Sequence, residues 1–240
     1  MLVQIDNCPL STVHCQLTMS SEFIETLWVT GKLALATTVL LFVIGMPISY
    51  MLAYARFRLK TILEALISMP MVLPPTVIGY YLLVAFSPQN GFGKFLERYF
   101  DLRLAFTFEG ILIASVVFGL PFMIQPLQNG LMSLPDSLRE ASYTLGKSKT
   151  TTFFRVLLPN IKPSIITGIA MTFAHCIGEF GVVLMVGGDI PGVTRMASIA
   201  IYDEAQALNY TVANEYSLIL FLISFVLLII IFSVNKKHKI

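Results

Sequence analysis

Five apolar stretches, at about residues 32–55, 62–86, 110–132, 163–187 and 216–234, dominate the chain. Each reaches the roughly 20 residues that a helix needs to cross the hydrocarbon core of a bilayer. Lipid offers the backbone no hydrogen-bond partner, so a spanning segment must pair internally as a helix or within a closed barrel. Short strands of alternating polarity are missing, which disfavours a barrel. With 56% hydrophobic and 12% charged residues and a mean hydropathy of +0.78, the expected class is an all-α polytopic membrane protein. The first apolar run starts at Leu27, behind polar and acidic residues, without a basic leader or a small-residue cleavage site. It reads as a retained span, not a signal peptide.

The basic residues give an orientation. Of 16 Lys and Arg, eleven fall on one side: Arg56, Arg58 and Lys60 in the first loop, Arg139, Lys147, Lys149, Arg155 and Lys162 in the central loop, and Lys236, Lys237 and Lys239 in the tail. Lys32, Lys94, Arg98, Arg103 and Arg195 fall on the other, with most of the acids. The positive-inside bias makes the first side cytoplasmic, and five spans then put the N-terminus outside and the C-terminus in the cytoplasm. The expected division is an external segment at 1–27, a transmembrane domain at 28–235 with a polar loop at 134–159, and a basic tail at 236–240. A net charge of +2 spread over membrane-flanking loops leaves no footprint for nucleic acid.

Cys8 and Cys15 fall in the external segment, where an oxidising compartment permits a disulfide, although two free thiols in a terminus is the plainer reading. His14 beside Cys15 supplies too few ligands for a closed metal site, so neither metal nor cofactor is expected. Cys176, inside a span, reads as a small packing residue.

Six of the 12 prolines interrupt the apolar stretches: Pro47, Pro70, Pro74, Pro75, Pro121 and Pro126. Each removes an intrahelical hydrogen bond, a defect tolerated where neighbouring helices or a water-filled path satisfy the freed carbonyl. Membrane helices are rich in proline generally, but the doubled Pro74-Pro75 should break its helix and aim backbone groups at a pathway. Residues 87–107 read as an external loop with a short interfacial helix, and 188–215 as a polar loop with a helix near 197–208 that leaves room for a sixth membrane helix.

In the central loop, Ser133-Leu134-Pro135-Asp136 resembles a helix start with a hydroxyl cap. Gly146 is placed to end that helix in a left-handed turn, and Ser148 to cap a second helix that Pro159 ends. Leu138, Ala141 and Leu145 share a helical spacing, and Phe153, Phe154, Leu157 and Leu158 cluster on the second helix. These apolar faces fit either the membrane interface or a protein groove.

Glu140-Ala141-Ser142, Gly146 six residues after the glutamate, and Val156-Leu157-Leu158-Pro159 together resemble the coupling-helix motif of ABC importer permeases, with Ser142 in place of the usual alanine. The segment Met71-Val72-Leu73-Pro74-Pro75-Thr76-Val77-Ile78-Gly79-Tyr80, the tetrad Gly178-Glu179-Phe180-Gly181 and the turn at 188–195 resemble the molybdate permease subunits of type I ABC importers over roughly 28–233. The resemblance implies a type I importer fold with about five core spans, located in a bacterial cytoplasmic (inner) membrane. It implies import of molybdate or tungstate, with sulfate as an alternative, by a subunit that is not itself an enzyme. The partners implied are a cytoplasmic ABC ATPase dimer, an external oxyanion-binding protein, a second copy of the chain and membrane lipid. Glu140, Ala141, Ser142, Leu145, Gly146, Leu158 and Pro159 would couple to the ATPase. Pro74, Pro75, Thr76, Gly178, Glu179 and Gly181 are candidates for the pathway.

Two competing readings are weaker. Ala141 to Ser148 satisfies a permissive form of the phosphate-loop pattern, but a loop between membrane helices supplies no preceding strand and no glycine-rich cradle. A proton-coupled secondary transporter would use Glu179 as a relay, since intramembrane acids are functional suspects. That reading explains neither the loop motif nor the lack of a partner acid. With its depth set near the external end of the span, Glu179 is expected to cap a helix or to form an interhelical hydrogen bond.

Overall fold

In the computed structural model, which describes residues 12–55 and 58–237, every regular element is helical. Helix α1, Thr12–Tyr54, runs unbroken through Pro47. Its 43 residues extend over about 65 Å at 1.5 Å each, twice the hydrocarbon thickness. The segment at 1–27, set apart in the sequence, therefore joins the first span from Thr12 onward as added helical turns. Lys32 lies over the Phe108 ring, 4.2 Å from its centroid. It is about 33 Å along the helix from Tyr54, a separation close to the thickness of a bilayer's hydrocarbon core. Cys8, and the side chains of His14 and Cys15, lie outside what is described.

The second apolar stretch is two helices. Helix α2, Lys60–Ser68, continues into a 3₁₀ turn at Met69–Met71, and α3 starts at Pro75 and ends at Phe86. The axis bends by 107° between them. Pro74 and Pro75 cause this break, because a residue before proline is pushed out of the α region and proline has no N–H to continue the ladder. Helix α4, Gly91–Phe100, starts where the Asn90 side chain accepts from the Gly91 N–H.

Helix α5, Phe108–Met132, is the axis of the fold. Its Ile111, Ala114 and Phe118 pack with Val29 and Leu33 of α1 in the largest apolar cluster of the core. After α5 come α6 (Asp136–Thr144), α7 (Lys149–Thr152), a π-helical turn at Phe153–Leu157 and α8 (Leu158–Asn160). The fourth stretch is also divided, into α9 (Lys162–Gly178) and α10 (Gly181–Gly187). Helix α11, Ala197–Gln206, has ten residues and is too short to span a membrane. Helix α12, Tyr210–Lys237, is the most exposed of the long helices and absorbs the start of the tail placed at 236–240. Among the described residues three helices are long and apolar enough to cross a membrane, or up to five if each bent pair counts as one span.

Candidate functional site: the coupling loop and two broken spans

The loop between α5 and α9 folds as a compact helical hairpin. Ser133 does not cap α6 as its sequence position suggests; its hydroxyl turns back to the Gly130 carbonyl and closes α5. Pro135 takes the N-cap position without a side-chain bond. At the other end Gly146 adopts φ +72°, its N–H meets the Tyr143 carbonyl at 2.9 Å, and Lys147 N–H meets the Ser142 carbonyl at 3.1 Å. This left-handed closure is accessible to glycine without the Cβ penalty. Ser148 caps α7 by accepting from the Thr151 N–H at 3.2 Å.

A pair of buried hydroxyls ties the hairpin together, Ser142 Oγ lying 2.8 Å from Thr152 Oγ1. Pro159 does not end the second helix; it sits in the first turn of α8, and the 76° bend comes after it, between α8 and α9. The π turn explains this. Proline at 159 cannot donate to the Arg155 carbonyl, and the Leu158 N–H reaches back five residues to Phe153, widening the helix ahead of the ring.

The hairpin is keyed to the ends of the first and third spans. Arg139 bridges to Asp136 at 3.0 Å and stacks over the Tyr54 ring at 4.5 Å, while Tyr54 Oη donates to the Leu131 carbonyl at 2.9 Å. Phe153 meets Tyr50 edge-on, and Leu157 is buried with Leu131 and Ile161. Glu140, Ala141, Gly146 and Pro159 are exposed, Leu158 is half-buried, and Leu145 is 77% exposed. Ala141 on α6 and Leu145, its C-cap residue, stand four residues apart and are both exposed. Ser142 faces inward instead. Lys147 is exposed after a helical turn, not after a strand, so the phosphate-loop pattern lacks its structural setting.

The two broken spans meet. A Cβ on Gly181 would come within 2.9 Å of Pro75 Cβ, and one on Gly79 within 2.7 Å of Met185 Cβ. Both glycines therefore serve the close approach of α3 and α10. Pro74, Pro75, Thr76 and Gly178 are exposed beside this crossing, and Gly181 is half-buried. Glu179 is buried, 3% accessible, and neither carboxylate oxygen has a hydrogen-bond partner among the described residues. The buried Ser115 hydroxyl of α5 is close to the carboxylate but outside good hydrogen-bond geometry, and it has no other partner among the described residues. The expected cap and interhelical bond are both made by the Glu179 backbone: it caps α9, and its carbonyl accepts from Ser198 Oγ of α11 at 2.6 Å.

A charged cluster at the opposite end from the hairpin was not singled out in the sequence. Arg195 lies 2.9 Å from Glu22, 3.5 Å from Asp189 and 3.8 Å from Glu204, fastening the first turns of α1 to the 188–195 turn. Burial and neighbouring Asp189 push the Asp203 carboxyl above its usual range. These residues are far apart in sequence, and no local pattern joins them.

The family described as "Binding-protein-dependent transport system inner membrane component" matches residues 45–238. The chain belongs to this family. The permease is 41% identical to the molybdenum transport system permease protein ModB of Azotobacter vinelandii, over 92% of this chain and 97% of that protein. It is 32% identical to the sulfate transport system permease protein CysT of Salmonella typhimurium, over 82% and 70%. In fold, the permease superposes with a TM-score of 0.70 on a chain of the inward-facing MetNI methionine ABC transporter, covering 92% of the permease and 97% of that chain at 18% identity. The fold is that of a type I ABC importer transmembrane domain, as the resemblance implied.

Proposed function

We propose that the permease forms the membrane pathway of an ATP-driven importer of molybdate. The observation that carries this reading is the 41% identity to the ModB permease across nearly the full length of both chains, against 32% and shorter cover for the sulfate relative. One coupling hairpin per chain calls for two copies to engage an ATPase dimer, and a homodimer is the simplest such assembly. An external oxyanion-binding protein delivers the substrate and carries most of the selectivity.

The mechanism follows from how the hairpin is built. Its outward face, with Glu140, Ala141, Leu145 and Gly146, docks on the ATPase, while Arg139, Phe153 and Leu157 fasten it to α1 and α5. Closure of the ATPase pair moves the hairpin as a body, and the breaks at 72–74 and 179–180 let α3 and α10 swing together toward an outward-open state. The sequence supplies no Lys or Arg at mid-span, so a divalent oxyanion meets weak backbone and hydroxyl contacts and is released quickly. Pro74, Pro75, Thr76 and Gly178 are placed to offer them. The chain itself breaks no covalent bond.

The test is uptake by the reconstituted permease, ATPase and external receptor. Labelled molybdate should accumulate, tungstate should compete, and excess sulfate should leave uptake unchanged. Sulfate transport at equal or greater rate would favour the reading that the CysT relative suggests.

A further inference from the structure

A cleft of about 550 Å³ opens between α1 and the coupling hairpin. Its walls are Val43 and Met46 on α1 and Phe153, Phe154 and Leu158 on the hairpin, and among the described residues Lys149 is the only charged one that lines it. It follows α1 from Phe42 to Tyr50, about 12 Å of helix rise, next to the end of the span. Apolar walls with one cation at the edge suit an amphiphile whose chain avoids water and whose head is negative. A protein segment fits less well, because its backbone groups would find few partners on walls where only Tyr50, Lys149 and Thr150 carry polar side chains.

We propose that this cleft binds an anionic phospholipid, with an acyl chain between α1 and the hairpin and the headgroup phosphate on Lys149. The site rests on the orientation in which the hairpin faces the cytoplasm. A lipid seated there touches the first span and the π turn together, so the charge of the surrounding leaflet bears directly on the element that couples to the ATPase. π turns interrupt helices frequently at functional positions.

The test uses the assembled permease and ATPase in phosphatidylcholine nanodiscs. The discs contain a minor fraction of either phosphatidylglycerol or phosphatidylcholine with a photoactivatable acyl chain. Phosphatidylglycerol should label the peptides carrying Val43 and Phe154, and phosphatidylcholine should label them far less. Lys149→Gln should reduce the phosphatidylglycerol label about fivefold, the loss of one basic contact of roughly 1 kcal/mol. Val43→Trp fills the cleft from the α1 side while leaving every hairpin residue unchanged, and should remove the label at Phe154 even if Lys149→Gln assembles poorly. Equal labelling by the two lipids, or no labelling of these peptides, overturns the proposal. ATP-driven uptake measured on the same preparation reports separately on the transport reading.

Discussion

Ser142 donates its hydroxyl proton to Thr152 Oγ1 across the hairpin between α5 and α9, at 2.8 Å. The direction follows from stoichiometry, because the single Thr152 proton already goes to the Ser148 carbonyl at 3.0 Å. Two helices that share no apolar core of their own are thereby fixed to each other by a buried polar contact. The serine that departs from the coupling motif's usual alanine has a structural use.

An asymmetry follows for substitutions at this pair. Ser142→Ala leaves Thr152 bonded to Ser148 and should cost about 0.5–1 kcal/mol. Thr152→Val leaves the Ser142 hydroxyl buried without its acceptor and should cost about 1–3 kcal/mol. Thermal unfolding of the purified complex would check the order, and equal losses would contradict the assigned donor.

Gly146→Leu should weaken recovery of the ATPase with the permease and abolish uptake, while membrane insertion is unaffected. No atom would obstruct an added Cβ there, so the effect is conformational, about 1–2 kcal/mol for a left-handed residue. Gly146→Asn, which tolerates that region, should retain most of the coupling. Full complex formation by the leucine variant would remove the docking role.

Purified permease should neither bind nor hydrolyse ATP, and Lys147→Ala should leave the nucleotide affinity of the complex unchanged. Specific photolabelling of Lys147 by an ATP analogue is the outcome that would revive the phosphate-loop reading.

Gly79→Val should slow uptake, because its Cβ would displace Met185 at the α3–α10 crossing, an overpacking cost of about 1–3 kcal/mol. Distance measurements between labels on the two helices should show the pair wedged apart. Normal uptake and unchanged spacing would mean the crossing does not move as a tight pair.

The double proline made the α2–α3 break legible, and the glycine at 146 made the hairpin's reversal legible, because both residues act through their own backbone limits. The break at Glu179 was not legible: an acid between apolar runs does not itself end a helix, and Gly178 and Gly181 are equally at home inside a membrane helix. The π turn escaped because it compensates Pro159 several residues upstream. Ser133 looked like a cap because its spacing to Asp136 fits one, yet the Gly130 carbonyl lay nearer. Arg195 could not be paired with Glu22 from sequence, since 173 positions separate them.

The most direct test of ATP-driven import is uptake by vesicles holding the complete complex, with and without an uncoupler, in the native protein and in Glu179→Gln. The glutamine keeps the size and hydrogen-bonding capacity of the buried side chain and removes its ability to ionise. The account predicts uptake that requires ATP and the external receptor, survives collapse of the proton gradient, and persists substantially in the variant. Uptake that follows the proton gradient without ATP, and disappears in Glu179→Gln, would contradict it.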